Sequence, residues 1–285
     1  MIKKLLAFGC SNTFGAECVQ DGDHTHPDNV NHCYPKFLAN MLGCTAYHNY
    51  AYPGKSNGDI AYRLYQYIGH ELKAKPDQTH ELFVVVGWTE ANRFPFWFNI
   101  EGSALKEQII TEYIALGLFN REVFDVFNHK EPPTIKQVRD VITRYPFAEQ
   151  FVRGAMLHFF NTPSLIMYNL LIKAGVSNFL EKHKIKFITL PTLPSSSINA
   201  NLDHLGDLDP HVQEQLLLAG KHNILEYKHA EYPNQDGMGD WSYNFNMLAT
   251  FSKYGVSKAH GHLKPVAHHK LAEYLYNEIK QRGII

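Results

Sequence analysis

The sequence has no hydrophobic run long enough to cross a membrane and almost no net charge. No stretch reaches the roughly 18 consecutive apolar residues that a spanning helix needs, and the apolar run after Lys4 is too short for a secretory signal peptide. The formal net charge is −1, which excludes a broad basic surface for a nucleic acid backbone. We therefore expect no membrane or nucleic acid partner, no signal peptide, and a cytoplasmic or virion-associated location.

Cysteine is scarce and confined to one end of the chain. The 285 residues are 45% hydrophobic, so the chain buries a full core without disulfide bonds. We expect reduced thiols, in a single domain that spans residues 1–285. The four cysteines, which lack the paired spacing of a zinc motif, are Cys10, Cys18, Cys33 and Cys44.

Histidine and aspartate cluster in the polar segment 21–32. Their spacing matches no metal-binding motif, so we expect a solvated loop, no metal and no cofactor. The clustered residues are Asp21, Asp23, His24, His26, Asp28 and His32.

Strands and helices alternate through the first 90 residues. This β-α-β-α-β order predicts a parallel sheet with right-handed crossovers, covered by helices on both faces as a three-layer α/β/α sandwich. The strands are predicted at 2–8, 45–50, 81–87 and 185–190, and the first helices at 34–42 and 59–75.

The second half of the chain is less regular. Residues 103–160 have a helical pattern and are predicted to form an insertion that caps the sheet edge, whereas 164–182 form a crossover helix. A further helix is predicted at 209–227. Residues 231–261 are long, irregular and rich in glycine, asparagine and aromatics, which is typical of a functional loop.

Two residues suggest a nucleophile and its base. Ser11 directly follows the first strand, at the sheet edge where α/β proteins bind ligands, and His262 lies on a loop before the last helix. Each has an ordinary alternative, since Ser11 is suited to cap a helix and His262 to pack or face solvent. Acyl transfer also needs donors for an oxyanion, and Gly54 leaves a backbone N–H accessible.

Four segments resemble the conserved blocks of the SGNH or GDSL-type serine hydrolases. The first 60 residues are most similar, particularly to SGNH-like proteins of tailed phages. Cys10 stands where the family has an acidic residue, and Thr89 where it has the asparagine of the oxyanion hole. The segments are Gly9 to Gly15, Asn49 to Asn57 with Gly54, Gly87 to Glu90, and His262 to Leu271.

The resemblance implies a flavodoxin-like sheet of order 2-1-3-4 with a possible fifth strand, and a serine esterase or deacetylase. It makes Ser11 the nucleophile and His262 the base, with Ser11, Gly54 and Thr89 forming the oxyanion hole. The residues expected to contact substrate are Asn57, Trp88 and Arg93.

The acid that orients the histidine is missing from its usual place. The family has an aspartate three residues before the histidine, where this chain has Ala259. A neutral imidazole needs an acceptor for its Nδ1–H. We expect a backbone carbonyl or a carboxylate from 231–261, with Asp240 ahead of Asp236.

Three functions are compatible with these residues. The first is hydrolysis of a small acyl ester, such as an O-acetylated carbohydrate. The second is a catalytically silent module that binds a glycan or forms part of a virion, which the missing aspartate favours. The third is transfer of an acyl group to a sugar, which uses the same site. The sequence leaves the oligomeric state open.

Overall fold

A computed structural model describes residues 2–74, 76–89, 162–192 and 247–285. Its four strands are β1 Lys4–Gly9, β2 Ala46–Asn49, β3 Leu82–Trp88 and β4 Lys186–Pro191. Its α-helices are α1 Ser11–Phe14, α2 Tyr34–Met41, α3 Asn57–Ala74, α4 Thr162–Lys182, α5 Met247–Phe251 and α6 Pro265–Gln281. Three short 3₁₀ helices cover Pro27–Asn31, Pro76–Glu81 and Ser252–Tyr254.

The described strands form one parallel sheet in the order β2-β1-β3-β4. Ala7 of β1, for example, lies opposite Asn49 on one side and Val85 on the other. Every residue of β3 is buried, as expected for a central parallel strand with helices on both faces. Because the strands are parallel, the loops that follow them meet at one edge of the sheet.

The two faces of the sheet are covered by different helices. Alternate residues of a strand point to opposite faces, so Leu5 and Ala7 pack with α2, α5 and α6, while Leu6 and Phe8 pack with α3 and α4. The molecule is thus a three-layer α/β/α sandwich. None of the described helices is long and apolar enough to cross a bilayer.

The predicted sheet is confirmed in order, direction and position. Strand ends differ from the prediction by two residues at most. The irregular stretch predicted at 231–261 is wrong in part, because Met247–Phe251 forms α5 and Ser252–Tyr254 a 3₁₀ turn. The insertion at 103–160 and the helix at 209–227 lie outside the described residues.

Candidate active site

A tight turn after β1 presents Ser11. Cys10 is the N-cap residue of α1, so Ser11 is its first helical residue and its hydroxyl is not the cap. Thr13 of α1 fills the space that a Cβ on Gly9 or Gly87 would occupy. Glycine at both strand ends therefore lets α1 sit directly on β1 and β3.

Ser11 and His262 lie in hydrogen-bond contact. The Ser11 Oγ is 3.0 Å from the His262 Nε2, although 251 residues separate the two in sequence. The Ser11 residue is 7% exposed and the His262 side chain 13% exposed. The contact is therefore largely shielded from solvent.

The other ring nitrogen of His262 contacts a buried carboxylate from the N-terminal part of the chain. The His262 Nδ1 lies 2.8 Å from Oε2 of Glu17, whose side chain is fully buried. A carboxylate only accepts hydrogen bonds, so Nδ1 carries the hydrogen. The Nε2 is then left with a lone pair directed at the Ser11 hydroxyl, which is the tautomer a general base needs.

Glu17 accepts four hydrogen bonds. Its Oε1 accepts from the backbone N–H of Gly22 at 2.8 Å and from His260 Nδ1 at 2.7 Å. Its Oε2 accepts from His262 and from the hydroxyl of Ser257. Burial by itself raises the pKa of Glu17, but the hydrogen bonds from His260, Ser257, His262 and Gly22 outweigh burial and hold that pKa well below its usual range. Glu17 is therefore ionised at neutral pH.

The pKa of His262 is also lowered from its ordinary value. Burial, which disfavours the charged ring, is the largest cause, and the hydrogen bond to Glu17 opposes it. His262 is therefore neutral at pH 7 and able to accept a proton.

The loop that carries His262 is fastened to the loop that carries Glu17. The backbone N–H of Ser257 donates to the His262 carbonyl at 2.7 Å, which closes a narrow turn. The Nζ of Lys264 donates to the Glu17 carbonyl at 2.9 Å and also binds the Asp21 carboxylate. These bonds hold the acid and the base together.

Gly54 and Thr89, the expected oxyanion donors, follow β2 and β3 at the same edge of the sheet as Ser11. Gly54, in the loop after β2, has a φ of +80°, a left-handed conformation that favours glycine. Thr89 directly follows β3, and among the described residues its buried hydroxyl has no hydrogen-bond partner. Their role as donors stays a prediction.

Two of the residues expected to contact substrate are buried. Trp88 is 1% exposed and packs in the core between the sheet and the α3 and α4 layer. Asn57 is fully buried, and its amide binds the N–H and C=O of Thr89 and the Oδ1 of Asn169. Among the described residues, the Asn57 amide is fully used in these contacts, and both side chains are shielded from solvent. Arg93, the third residue, lies outside the described residues.

The expected source of the acid is corrected. The acceptor for Nδ1 was expected to be a carbonyl or a carboxylate from 231–261, but it is Glu17; Asp236 and Asp240 lie outside the described residues. Glu17 was not predicted as the acceptor because it precedes His262 by 245 residues in the sequence. One signal was present: Glu17 is the first acidic residue of the chain and follows Ser11 by six positions.

The described cysteines are all free, and the polar loop contributes one histidine to the site. Cys10, Cys18 and Cys33 are buried and Cys44 is partly buried. His24 reaches Glu17 and His260, whereas Asp21 instead pairs with Lys264.

A hydroxyl, an imidazole and a carboxylate in this order define a class of site, the catalytic triad, which activates a serine for attack on a carbonyl carbon. Here it lies at the carboxyl edge of a parallel α/β sheet. Neither the protein-family models nor the curated proteins searched contain a match to the sequence.

Two solved structures are similar to this chain. One, from Desulfitobacterium hafniense, is described as a lipolytic protein of the G-D-S-L family; it is 12% identical, with 97% of this chain and 99% of that chain covered and a TM-score of 0.42. The other is the lipase/acylhydrolase from Enterococcus faecalis, 13% identical, with 99% and 97% covered and a TM-score of 0.43.

Proposed function

We propose that this protein is an SGNH-type serine hydrolase that cleaves a small acyl ester, with Ser11 as nucleophile, His262 as general base and Glu17 as the acid of the triad. One observation carries the proposal, the unbroken chain of hydrogen bonds from the Ser11 hydroxyl through both ring nitrogens of His262 to Glu17. Such a chain, with each proton on the required atom, is the arrangement that makes a serine nucleophilic.

The reaction proceeds through an acyl-enzyme. Ser11 Oγ bonds to the ester carbonyl carbon while His262 Nε2 takes the hydroxyl proton. The tetrahedral intermediate then collapses, the ester C–O bond breaks, and the imidazolium returns the proton to the leaving alcohol. A water molecule, deprotonated by His262, releases the acid and restores Ser11.

Glu17 acts through its charge and its position. It holds the Nδ1–H of His262 so that Nε2 faces Ser11, and it stabilises the imidazolium that forms during each half-reaction. Its four hydrogen-bond donors keep it ionised and fixed.

The oxyanion binds to the N–H groups of Ser11 and Gly54 and to the Thr89 hydroxyl. Ser11 is the first residue of α1, and the first N–H groups of a helix have no acceptor within it. The buried Thr89 hydroxyl lacks a partner among the described residues, which supports a donor role toward a bound ligand. Each such donor contributes about 3 to 4 kcal/mol to transition-state binding.

The alternative of a silent binding module rested on the absent aspartate before His262. The contact between His262 Nδ1 and Glu17 offers an acceptor in its place, which supports the enzyme over the silent module. Transfer of the acyl group to a sugar remains compatible with the same first half-reaction and differs only in the acceptor.

The test is labelling by a fluorophosphonate, which reacts with an activated serine. The wild-type protein is expected to be labelled at Ser11, with His262→Ala reducing the labelling rate by orders of magnitude because the base is lost. Ser11→Ala should abolish labelling, and Ser252→Ala serves as a matched control. Equal labelling of wild type and Ser11→Ala would overturn the assignment.

A substrate panel then tests the reaction itself. Short acyl esters of p-nitrophenol and O-acetylated sugars are offered with and without a free sugar acceptor. We expect release of the free acid, dependent on Ser11. An acylated sugar as the main product would identify an acyltransferase. Equal background rates for wild type, Ser11→Ala and His262→Ala would identify a binding module.

A further inference from the structure

Three potential metal ligands converge beside the triad. The Nδ1 of His260 lies 2.7 Å from Oε1 of Glu17 and 2.9 Å from Nε2 of His24. The His24 Nε2 lies 3.5 Å from the same Glu17 oxygen. These three atoms form a compact triangle, contributed by two separate loops.

Hydrogen bonding alone accounts poorly for this triangle. Glu17 is ionised and only accepts, so the hydrogen on His260 Nδ1 is directed at Glu17. The same hydrogen must also be shared with His24 Nε2. If Nε2 carried a hydrogen of its own, two hydrogens would lie between nitrogen atoms only 2.9 Å apart. If a cation replaced that shared hydrogen, all three atoms would direct a lone pair at it, which satisfies the triangle more fully.

The distances fit a tetrahedral metal. Zinc bonds to histidine nitrogen at about 2.0–2.1 Å and to carboxylate oxygen at about 2.0–2.2 Å, which sets neighbouring ligand atoms roughly 3.3–3.5 Å apart. The two shorter sides of the triangle, 2.7 and 2.9 Å, must widen by about 0.4 to 0.8 Å to reach this spacing. The side chains that must move, His24 and His260, are 34% and 54% exposed, so they are free to do so.

The ligands sit on supported loops. The buried amide of Asn29 binds the carbonyls of Asp23 and His24 and the N–H of Val19, which fixes the loop that carries His24. The N–H of Gly22 holds the Glu17 oxygen that faces the histidines. Such outer contacts orient metal ligands and strengthen binding.

We propose that Glu17, His24 and His260 form a binding site for a transition-metal ion, with zinc as the best fit. Two imidazoles and one carboxylate suit zinc, cobalt or nickel, whereas calcium and magnesium prefer oxygen ligands. The exposed histidines leave the fourth position open to solvent. Metal binding releases the hydrogen of His260 Nδ1 to the solvent as a proton.

The site has a consequence for the triad, and this part rests on the proposed function. Glu17 offers Oε1 to the metal while Oε2 continues to accept from His262. A metal on Oε1 withdraws negative charge from the carboxylate, so Glu17 stabilises the imidazolium of His262 less well. Bound zinc is therefore expected to slow ester hydrolysis, and a chelator to restore it.

The binding test uses tag-free protein, stripped with EDTA and titrated with Co²⁺, whose visible absorption reports tetrahedral coordination. We expect one equivalent to bind and Zn²⁺ to displace it. His24→Ala and His260→Ala should each weaken binding by more than the roughly 10- to 100-fold lost with an outer-shell partner. His32→Ala, from the same polar loop, is the matched control and should bind normally.

The outcomes are separable from those for the hydrolase. Absence of a cobalt spectrum in the wild type, or an equal spectrum in His24→Ala, overturns the metal site whatever the esterase activity. A cobalt spectrum that depends on His24 and His260 supports the site even if no ester is hydrolysed. Where hydrolysis is observed, zinc should lower kcat/KM in the wild type and in His32→Ala, but not in His24→Ala.

Discussion

Glu17 has a backbone conformation that is unusual for its residue type. Its φ is +64°, in the left-handed region that few residues other than glycine adopt. The residue is nevertheless fully buried, and its N–H donates to the Asp23 carbonyl at 3.3 Å. Strain of this kind persists where surrounding contacts fix it and is concentrated at functional sites. Ser11 and Glu17, the proposed nucleophile and acid, come from one short segment, whereas His262, the proposed base, comes from the C-terminal part of the chain.

Glu17→Gln should keep the shape of the site and remove its charge. The amide cannot stabilise the imidazolium, and its NH₂ group favours the wrong tautomer of His262. We expect kcat for ester hydrolysis to fall by roughly 10²- to 10⁴-fold, with KM little changed.

The matched control is Asp28→Asn, which removes the same charge from an exposed position in the adjacent polar loop. It should retain wild-type kcat. A Glu17→Gln variant with activity within a few-fold of Asp28→Asn would show that Glu17 is not the acid of the triad.

The residues of the site differ in how visible they are in the sequence. Ser11 and His262 were predicted because Ser11 directly follows the first strand, His262 lies on the loop before the last helix, and both belong to segments that resemble the SGNH blocks. Of the four histidines from 260 to 269, His262 is the one that contacts Ser11 among the described contacts. Glu17 was missed because its role depends on a left-handed turn and a contact across the whole fold, neither of which has a periodic signal.

The turn after α1 depends on Gly15. Its φ is +84°, and an added Cβ would lie 2.6 Å from the Cβ of Cys33 and 2.8 Å from the Asn29 carbonyl. Gly15→Ala therefore combines left-handed strain, about 1 to 2 kcal/mol, with steric overlap. We expect a loss of about 3 kcal/mol or more in the free energy of unfolding, measured by urea denaturation.

Gly43→Ala isolates the strain from the overlap. Gly43 has a φ of +69°, and a Cβ there would meet no atom within 4 Å. This variant should lose only about 1 to 2 kcal/mol. Equal losses for the two variants would mean that the packing around Gly15 yields easily.

Helix α6 buries a histidine whose ring makes no hydrogen bond with the described residues. His268 is 1% exposed, and its ring stacks on Tyr34 with centroids 5.9 Å apart. Neither ring nitrogen has a partner among the described residues. Burial, with a smaller contribution from nearby His262, lowers the pKa of His268 to about 3. The folded protein therefore keeps this ring neutral.

Acid should destabilise the protein through His268. In the unfolded chain the pKa is near 6.5, so between pH 6.5 and about 3 the unfolded state binds more protons than the folded state. The free energy of unfolding then decreases as pH falls, by about 1.4 kcal/mol per unit. From pH 6.5 to 5 we expect His268 to contribute a loss of about 2 kcal/mol.

His268→Leu removes the titrating ring and with it this pH-dependent loss of stability. It breaks no hydrogen bond among the described residues. Urea denaturation at pH 7 and pH 5 should show a smaller difference in the variant than in wild type, by about 2 kcal/mol. His70→Leu, at an exposed position on α3, should leave the difference unchanged. An unchanged pH dependence in His268→Leu would show that the ring is protonated without cost in the folded state.

Elements with a strong periodic pattern were predicted well. Strand β3 is buried on both faces and its sequence is a continuous apolar run. Helices α2 and α6 are buried on one face, and their sequences show apolar residues at helical spacing. Helix α5 was missed because five residues are too few for a helical period to emerge. Its packing against α6 at Met247 and Phe251, rather than local propensity, accounts for its formation.

On a larger scale, the parallel direction of the strands was predicted from the early β-α-β-α-β pattern, whereas the strand order was implied by the resemblance to the SGNH family. The role of Asn57 was not predictable. An asparagine in the segment Asn49 to Asn57 gives the same sequence pattern whether its amide binds substrate or holds parts of the fold together. Its amide instead connects three distant parts of the fold, which are the start of α3, the chain after β3 and the middle of α4.

Asn57→Ala should therefore reduce stability rather than substrate affinity. The change leaves the Thr89 N–H and C=O and the Asn169 side chain without this partner, and each buried group left unsatisfied costs about 1 to 3 kcal/mol. We expect a loss of about 2 to 4 kcal/mol in the free energy of unfolding, with KM nearly unchanged at temperatures where the variant stays folded. Asn40→Ala, at an exposed position on α2, should lose little by comparison. A large increase in KM without a change in stability would indicate that Asn57 contacts the substrate. It would also contradict the inference that the Asn57 amide holds Thr89 in place at the sheet edge.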